Sequence, residues 1–292
     1  MNIVQIHSGL GNQMFQYAFY VALKHYQPDT KIDASIYRHR PSHNGYELEQ
    51  IFAIEPAHAT IAERNQMADV GKDWFSIFRR AIGWKRKTYG QFVVEPNPSY
   101  GWCPQLLQSE NSYLQGYWQT EKYFANVAEQ IRKDFTFHRA LGTKDNSLAQ
   151  EILSTNSISV HIRRGDYIKE RRRADYEVCT AIYYRRAVEY IQAHIDSPVF
   201  YVFSDDPSWG KEQNIFPAGT IFVSGHKGED AYIDMQLMSL CRHHVIANSS
   251  FSWWGAWLGQ YDNTITLAPS TWFRHRERPD IIPDNWIKID AE

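Results

Sequence analysis

Val160-His161-Ile162-Arg163-Arg164-Gly165-Asp166-Tyr167 is the stretch that argues for an α/β chain. The apolar run Ile158-Ser159-Val160 reads as a buried strand, and it runs straight into one His, two Arg and one Asp around a Gly. Strands of open α/β sheets deliver binding groups at their carboxyl ends, where the crevice lies. Two guanidiniums in such a place are either neutralised inside the protein or meet an anion that arrives with the ligand. Asp166 is the one carboxylate close by in the sequence. A phosphate or pyrophosphate is therefore the expected counter-charge.

The pattern around this stretch alternates. Strand 157–162 leads through a loop to a helix over 180–194, with Tyr183, Ala187, Tyr190 and Ile191 spaced for burial. Val199 to Phe203 is a strand ending at Ser204-Asp205-Asp206-Pro207. Ile221 to Val223 is a strand, Tyr232 to Arg242 a helix, His244 to Ala247 a strand, Phe251 to Tyr261 a helix, and Thr264 to Leu267 a final strand closed by Pro269. Such alternation implies a parallel sheet covered on both faces. The first residues repeat the theme, with strand Ile3–His7, a tight loop Ser8–Asn12, a helix Gln13–Tyr26 and a short strand Lys31-Ile32-Asp33. Residues 50 to 115 predict helices without clear ends, residues 120 to 137 look helical, and the polar stretch Arg139 to Ser147 reads as a linker.

A length of 292 residues suits two domains of about 150 residues each. The net charge of −2 and a pI near 6.6 give no general attraction to nucleic acid. Cys103, Cys179 and Cys241 are odd in number and never form a C-x-x-C pair, which argues for a reducing compartment and against a disulfide frame. The start reads as a strand and not as a signal peptide. No apolar run approaches the ~18 residues that would span a bilayer. The aromatic load, with 10 Trp and 18 Tyr, is first of all core material, and some of it could line a sugar-binding cleft.

Three further blocks lie in order around the Arg segment. They are Gly9-Leu10-Gly11-Asn12-Gln13-Met14-Phe15-Gln16-Tyr17-Ala18, Phe203-Ser204-Asp205-Asp206, and Asn248-Ser249-Ser250-Phe251-Ser252-Trp253-Trp254-Gly255-Ala256-Trp257-Leu258. With His161-x-Arg163-Arg164-Gly165-Asp166-Tyr167, the chain resembles the glycosyltransferase family 11 α-1,2-fucosyltransferases over nearly its whole length. The resemblance implies a GT-B fold, two Rossmann-like domains facing a cleft. Residues 1–140 would form the acceptor side and 150–292 the GDP-fucose domain, leaving room for the extreme C-terminus to pack back on the first. It also implies a bacterial, cytoplasmic form with at most peripheral membrane contact at the inner face. The reaction would move L-fucose from GDP-β-L-fucose to the 2-hydroxyl of a terminal galactose, with inversion. The acceptor would be a galactose-terminated oligosaccharide, lipid-linked in some cases, of a surface polysaccharide such as an O-antigen repeat.

Under that resemblance the residues take roles. Charge grows on the β-phosphate as the glycosidic bond lengthens, and a preorganised cation there favours the transition state. Arg163, whose planar fork can hold two phosphate oxygens, is the expected catalytic group. Arg164 either assists or forms a structural salt bridge, and Asp166 orients the Arg pair. The family assigns His161 to the guanine. One of Asp205 and Asp206 would accept guanine N1–H and N2–H together, the other capping the helix that opens at Pro207. Asn248, Ser249, Ser250 and Phe251 open a helix whose N-terminus is an anion site, although Ser there is also an ordinary N-cap. Gly9, Leu10, Gly11, Asn12 and Gln13 would approach the donor phosphates and fucose. His7 and Asp33, at strand ends, are the candidates for a base, beside a mechanism with no dedicated base. No Asp-x-Asp occurs, so neither metal nor other cofactor is expected. The basic clusters Arg79–Lys87 and Lys169–Arg173 read as solvated surface first and as a contact for anionic membrane second. Rival readings are a fucosyltransferase of α-1,6 or O-fucosyl linkage, a metal-dependent transferase, and a GDP-sugar or glycan-binding protein without turnover.

Overall fold

A computed structural model describes the chain except for residues 40–42, 72, 97–100, 166–174, 177–178, 260, 276 and 292. The predicted roles of Asp166 and of the Lys169–Arg173 cluster lie outside the described residues. The chain divides into two compact units, Met1–His138 and Arg139–Glu292.

The first unit is built on a parallel four-stranded sheet of order β2-β1-β4-β3, with β1 Asn2–Gln5, β2 Thr30–Asp33, β3 Gln91–Val94 and β4 Ser112–Gln115. All four residues of β1 are buried, as a central strand of a covered parallel sheet requires. The helix Leu10–Tyr26 follows directly, starting at Gly9 in extended conformation with no side-chain cap. It begins three residues before the predicted Gln13, because the Gly-rich loop itself turns into the first helical turn. Two strands, β3 and β4, occupy the stretch where only helices were expected. Residues 120–137 hold two short 3₁₀ turns and only one α-helix, Ala128–Asp134.

The second unit is a parallel six-stranded sheet: β5 Asn156–Ile162, β6 Pro198–Ser204, β7 Ile221–Val223, β8 His243–Val245, β9 Thr266–Pro269 and β10 Ile287–Ile289. Its spatial order is β7-β6-β5-β8-β9-β10, the 3-2-1-4-5-6 order of a doubly wound nucleotide-binding sheet. The predicted final strand is followed by β10, a three-residue edge strand too short to show a period. The predicted linker holds the start of the helix Thr143–Ser154, whose polar first turn conceals it.

Ile158, Val160, Ile162, Val202, Val245 and Leu267 fill the core between the second sheet and Tyr183, Ala187 and Ile191 of the helix Ala181–His194. Two tyrosines of that helix tie it to strand ends. The Tyr183 hydroxyl donates to Ile246 O at 2.6 Å and that of Tyr184 to His161 O at 2.9 Å. Cys103, Cys179 and Cys241 are free thiols, and burial pushes the Cys179 thiol up to about 12. None of the described helices is long and apolar enough to cross a membrane.

His226 clamps this unit. Its Nδ1 meets Asp234 at 2.5 Å and its Nε2 meets Asp145 at 3.1 Å. Hydrogen bonding to Asp234, then to Asp145, holds the imidazole above its ordinary value against the opposing effect of burial. Burial pushes the Asp234 carboxyl up as well, opposed by His226; the two-carboxylate cage makes the rise at His226 the decisive direction. A raised folded-state pKa gives stability that is fully present below the unfolded value of about 6.5 and is lost as pH rises through the folded value. The difference in melting temperature between wild type and His226→Gln should therefore be widest near pH 6 and narrow above the raised pKa. A pH-independent difference would show that the histidine acts by packing alone.

Candidate functional site

In a doubly wound sheet the ligand crevice lies where the strand order reverses, outside the carboxyl ends. In the second unit that point is between β5 and β8, which pair in parallel with Val160 opposite Val245. β5 delivers His161, Arg163 and Arg164 to this place; β8 leads through Ala247 to Asn248, Ser249 and the helix Ser250–Leu258. The His161 and Phe251 rings stand 5.9 Å apart, so the two predicted groups do converge. His161 is buried, and burial, with the Arg163 charge adding to it, pushes its imidazole down to about 3. It is neutral at physiological pH, and its Nδ1 has no hydrogen-bond partner among the described residues.

The charge balance differs from the sequence expectation. The fold brings in two carboxylates from the neighbouring strand. β6 pairs with β5 so that Ser204 lies opposite Ile162, which carries Asp205 and Asp206 to the Arg pair. Arg163 Nη1 lies 2.9 Å from Asp205 Oδ2, both side chains being roughly a third to a quarter exposed at 32% and 26%. Asp205 Oδ1 also accepts the Arg164 backbone N–H at 2.9 Å. Arg164 turns away, with Nε 3.5 Å from Asp206 Oδ2 and its guanidinium 4.3 Å over the Trp209 ring. Alternation along the extended backbone separates the two arginines in this way.

The division of labour in the Asp pair is now visible. Asp206 caps the helix Pro207–Glu212, accepting from Ser208 Oγ at 2.8 Å and from Trp209 N–H at 3.3 Å. The Ser208 bond leads in holding its carboxyl below the ordinary value. Asp205 is the carboxylate that faces Arg163. A Cβ on Gly165 would lie 2.6 Å from Asp205 Oδ2, so glycine at 165 is what lets the loop close over that carboxylate.

At the other strand end, Ser249 sits at the N-cap position of the helix Ser250–Leu258 but makes no side-chain cap bond. The first-turn amides of any helix lack intrahelical acceptors and carry the positive end of its dipole. Asn248 is committed internally, donating to Tyr176 O at 3.0 Å and Trp272 O at 2.9 Å and accepting from the Cys179 thiol at 3.6 Å. Its side chain holds the loop that leads into the helix.

The first sheet has its own reversal point between β1 and β4. There Ser8 takes a positive φ of 72°, and a Cβ on Gly9 would stand 3.2 Å from the His43 ring. Leu10 and Gly11 are buried. Asn12 Oδ1 accepts from Gln119 Nε2 at 2.7 Å. Gln13 donates to Ser8 O and Gly45 O and accepts the Glu47 N–H, which makes it a clamp on the loop. Gln16 accepts the His7 N–H at 2.8 Å and donates to Gly116 O at 3.0 Å, joining the ends of β1 and β4. His7 contacts Ser8 Oγ at 2.9 Å and the Tyr117 ring edge at 4.9 Å. Burial lowers its imidazole pKa, so it is neutral. Asp33 is buried and spent, accepting from Tyr113 OH at 2.8 Å and Ser35 N–H at 2.9 Å beside Arg64 at 3.5 Å. Tyr184, Gly165, Trp209 and Gln16 were missed as positioning residues; they lie on helices and a loop whose contacts with the strand ends only the folded structure shows.

Two Rossmann-like parallel units define a GT-B α/β fold. The NodZ fucosyltransferase from Bradyrhizobium shares it, with a TM-score of 0.52 at 13% identity over 87% of this chain and 90% of that one. A glycosyl transferase family 11 model matches residues 84–290. An α-1,2-colitosyltransferase from Escherichia coli is 34% identical, spanning 99% of this chain and 98% of that protein. The O-antigen biosynthesis glycosyltransferase WbnK of the same species is 28% identical over 96% of this chain and 98% of its own length. Human galactoside α-(1,2)-fucosyltransferase 1 is 29% identical over 61% of this chain and 53% of that protein. The chain belongs to glycosyltransferase family 11.

Proposed function

We propose that the protein is an inverting α-1,2-fucosyltransferase that moves L-fucose from GDP-β-L-fucose to the 2-hydroxyl of a terminal galactose in an O-antigen repeat. The observation that carries this reading is Arg163 at the reversal point of a nucleotide-type sheet, steered by Asp205 at 2.9 Å and next to a helix N-terminus. The acceptor oxygen attacks the anomeric carbon opposite the nucleotide, the bond to the β-phosphate oxygen breaks, and GDP leaves with the electron pair. Arg163 and the first-turn amides at Ser250 and Phe251 stabilise the charge on that oxygen. Asp205 positions Arg163; His161 and Phe251 line the nucleotide side. His7 is the base candidate we favour, a neutral imidazole able to accept the hydroxyl proton.

A second donor is favoured by one observation, the 34% identical colitosyltransferase. Colitose is fucose without its 3-hydroxyl. A site that hydrogen-bonds this hydroxyl rejects the deoxy sugar by about 10⁴–10⁵, so the two donors separate sharply. Purified protein incubated with GDP-fucose or GDP-colitose and a panel of β-galactosides should release GDP and give an α-1,2-linked product with one of them. Intact GDP-fucose and GDP-colitose with every galactoside would leave only a binding protein, and an α-1,6 product would overturn the linkage. The Arg-based charge compensation also predicts a rate unchanged by EDTA. Loss of turnover on chelation, restored by a divalent ion, would replace it with a metal mechanism.

A further inference from the structure

The helix Trp74–Ala81 is turned inside out. Its buried residues are Ser76 and Arg79, whereas Trp74 (77%), Phe78 (57%) and Phe75 point to solvent. The polar underside is anchored by Asp69, which takes Arg79 and Arg80 in ion pairs and accepts the Arg86 backbone N–H at 3.1 Å. Arg79 donates in addition to Trp84 O at 2.5 Å and Arg80 to Gly71 O at 2.6 Å. Both helix arginines are thus spent on holding the helix in this orientation. The turn that follows continues the apolar face with Ile82 and Trp84, 60% and 65% exposed. Next comes Lys85-Arg86-Lys87, with both lysines exposed.

A soluble surface does not present so many large apolar side chains together without a partner. With Arg79 and Arg80 held by Asp69, the turn still carries Lys85, Arg86 and Lys87 with no Asp or Glu between residues 74 and 94, although the whole protein carries a net charge of −2. The partner must therefore be apolar within and anionic at its surface. A second copy of the chain fits poorly, because a two-fold contact would set the same cations against each other. Trp and Phe on one side, with Lys and Arg flanking them, is the composition of elements that lie in a lipid interface. There the aromatic rings enter the acyl boundary and the cations stay at headgroup level.

We propose that the face made by the helix Trp74–Ala81 and the turn through Lys87 seats the protein on an anionic lipid surface. The inference stands whichever donor sugar the enzyme takes. It is tested by flotation of the full chain with vesicles of phosphatidylcholine, with and without phosphatidylglycerol. Wild type should float with the anionic vesicles and largely lose this at high salt. Neutralising the turn with Lys85→Gln, Arg86→Gln and Lys87→Gln together should weaken partitioning on the order of 100-fold. Trp74→Ser with Phe78→Ser should abolish it, and both variants should melt like wild type, since none of these side chains is buried. Wild type that stays unbound with both vesicles overturns the proposal. So does sedimentation showing a dimer that Trp74→Ser with Phe78→Ser dissociates, because the face would then belong to a second copy.

Discussion

Arg163→Lys is expected to fold like wild type and to lose 10²–10³ in kcat, about 2.7–4 kcal/mol of transition-state stabilisation. The side chain is about a third exposed, at 32%, and its ion pair with Asp205 is of the half-solvated kind that contributes little to stability. The substitution keeps the positive charge, so long-range attraction of the nucleotide is kept too. What it removes is the planar fork, which can bind two oxygens in fixed geometry while one N–H stays on Asp205. Lysine has a single ammonium to share between the carboxylate and the departing phosphate. Because the demand is greatest when charge has built up on the leaving oxygen, kcat should fall further than donor affinity does. Steady-state kinetics with GDP-fucose or GDP-colitose, beside an unchanged thermal melt, check this. Wild-type turnover would remove Arg163 from the reaction and leave its bond to Asp205 as a structural detail. Asp205→Asn should weaken turnover less, since it loosens the guanidinium without taking it away.

The Arg segment was legible because Ile158, Val160 and Ile162 alternate along β5 and the strand then ends abruptly in charged groups. β6 shows the continuous apolar run of a central parallel strand, with the stretch Val199–Phe203 inside the strand Pro198–Ser204. Edge strands give no such signal. β3 exposes Phe92 and Val94, so nothing alternates along it, and β10 spans only Ile287–Ile289. The carboxylate beside Arg163 was hidden for a related reason. Sequence distance shows only Asp166, whereas neighbours across a sheet are set by register, and register brings Asp205 from 42 positions further on, since 205 − 163 = 42. The internal partners of Asp33, a base candidate, and of Gln13, a donor-side candidate, were hidden in the same way. Their partners, Tyr113 and Arg64 for the first and Gly45 and Glu47 for the second, come from segments that no local pattern connects to them.

Trp253→Ala should cost about 3–5 kcal/mol of stability, a large part of the 5–15 kcal/mol that holds a typical domain. The tryptophan-rich block Phe251–Leu258 carried much of the resemblance to its family, and its aromatics could have been read as a sugar platform. The structure puts them to another use. Trp253 and Trp254 are fully buried, and Trp253 packs against Trp254, Trp257 and Trp286 with centroids 4.9, 6.1 and 5.4 Å away. Its Nε1 donates to Ile281 O at 2.7 Å, so truncation both opens a cavity and strips a buried carbonyl of its donor. Trp253→Phe separates the two effects, since it keeps most of the ring and loses the N–H; about 1–3 kcal/mol is the expected share of the orphaned carbonyl. Urea unfolding followed by near-ultraviolet circular dichroism reads both variants. A cost below about 1 kcal/mol for Trp253→Ala would mean that the cluster is not core. The consequence for the site follows from position. This helix brings Phe251 to 5.9 Å from the His161 ring, and the buried tryptophan side is one of its holds. A variant that still folds should therefore bind GDP more weakly, although Trp253 itself is fully buried.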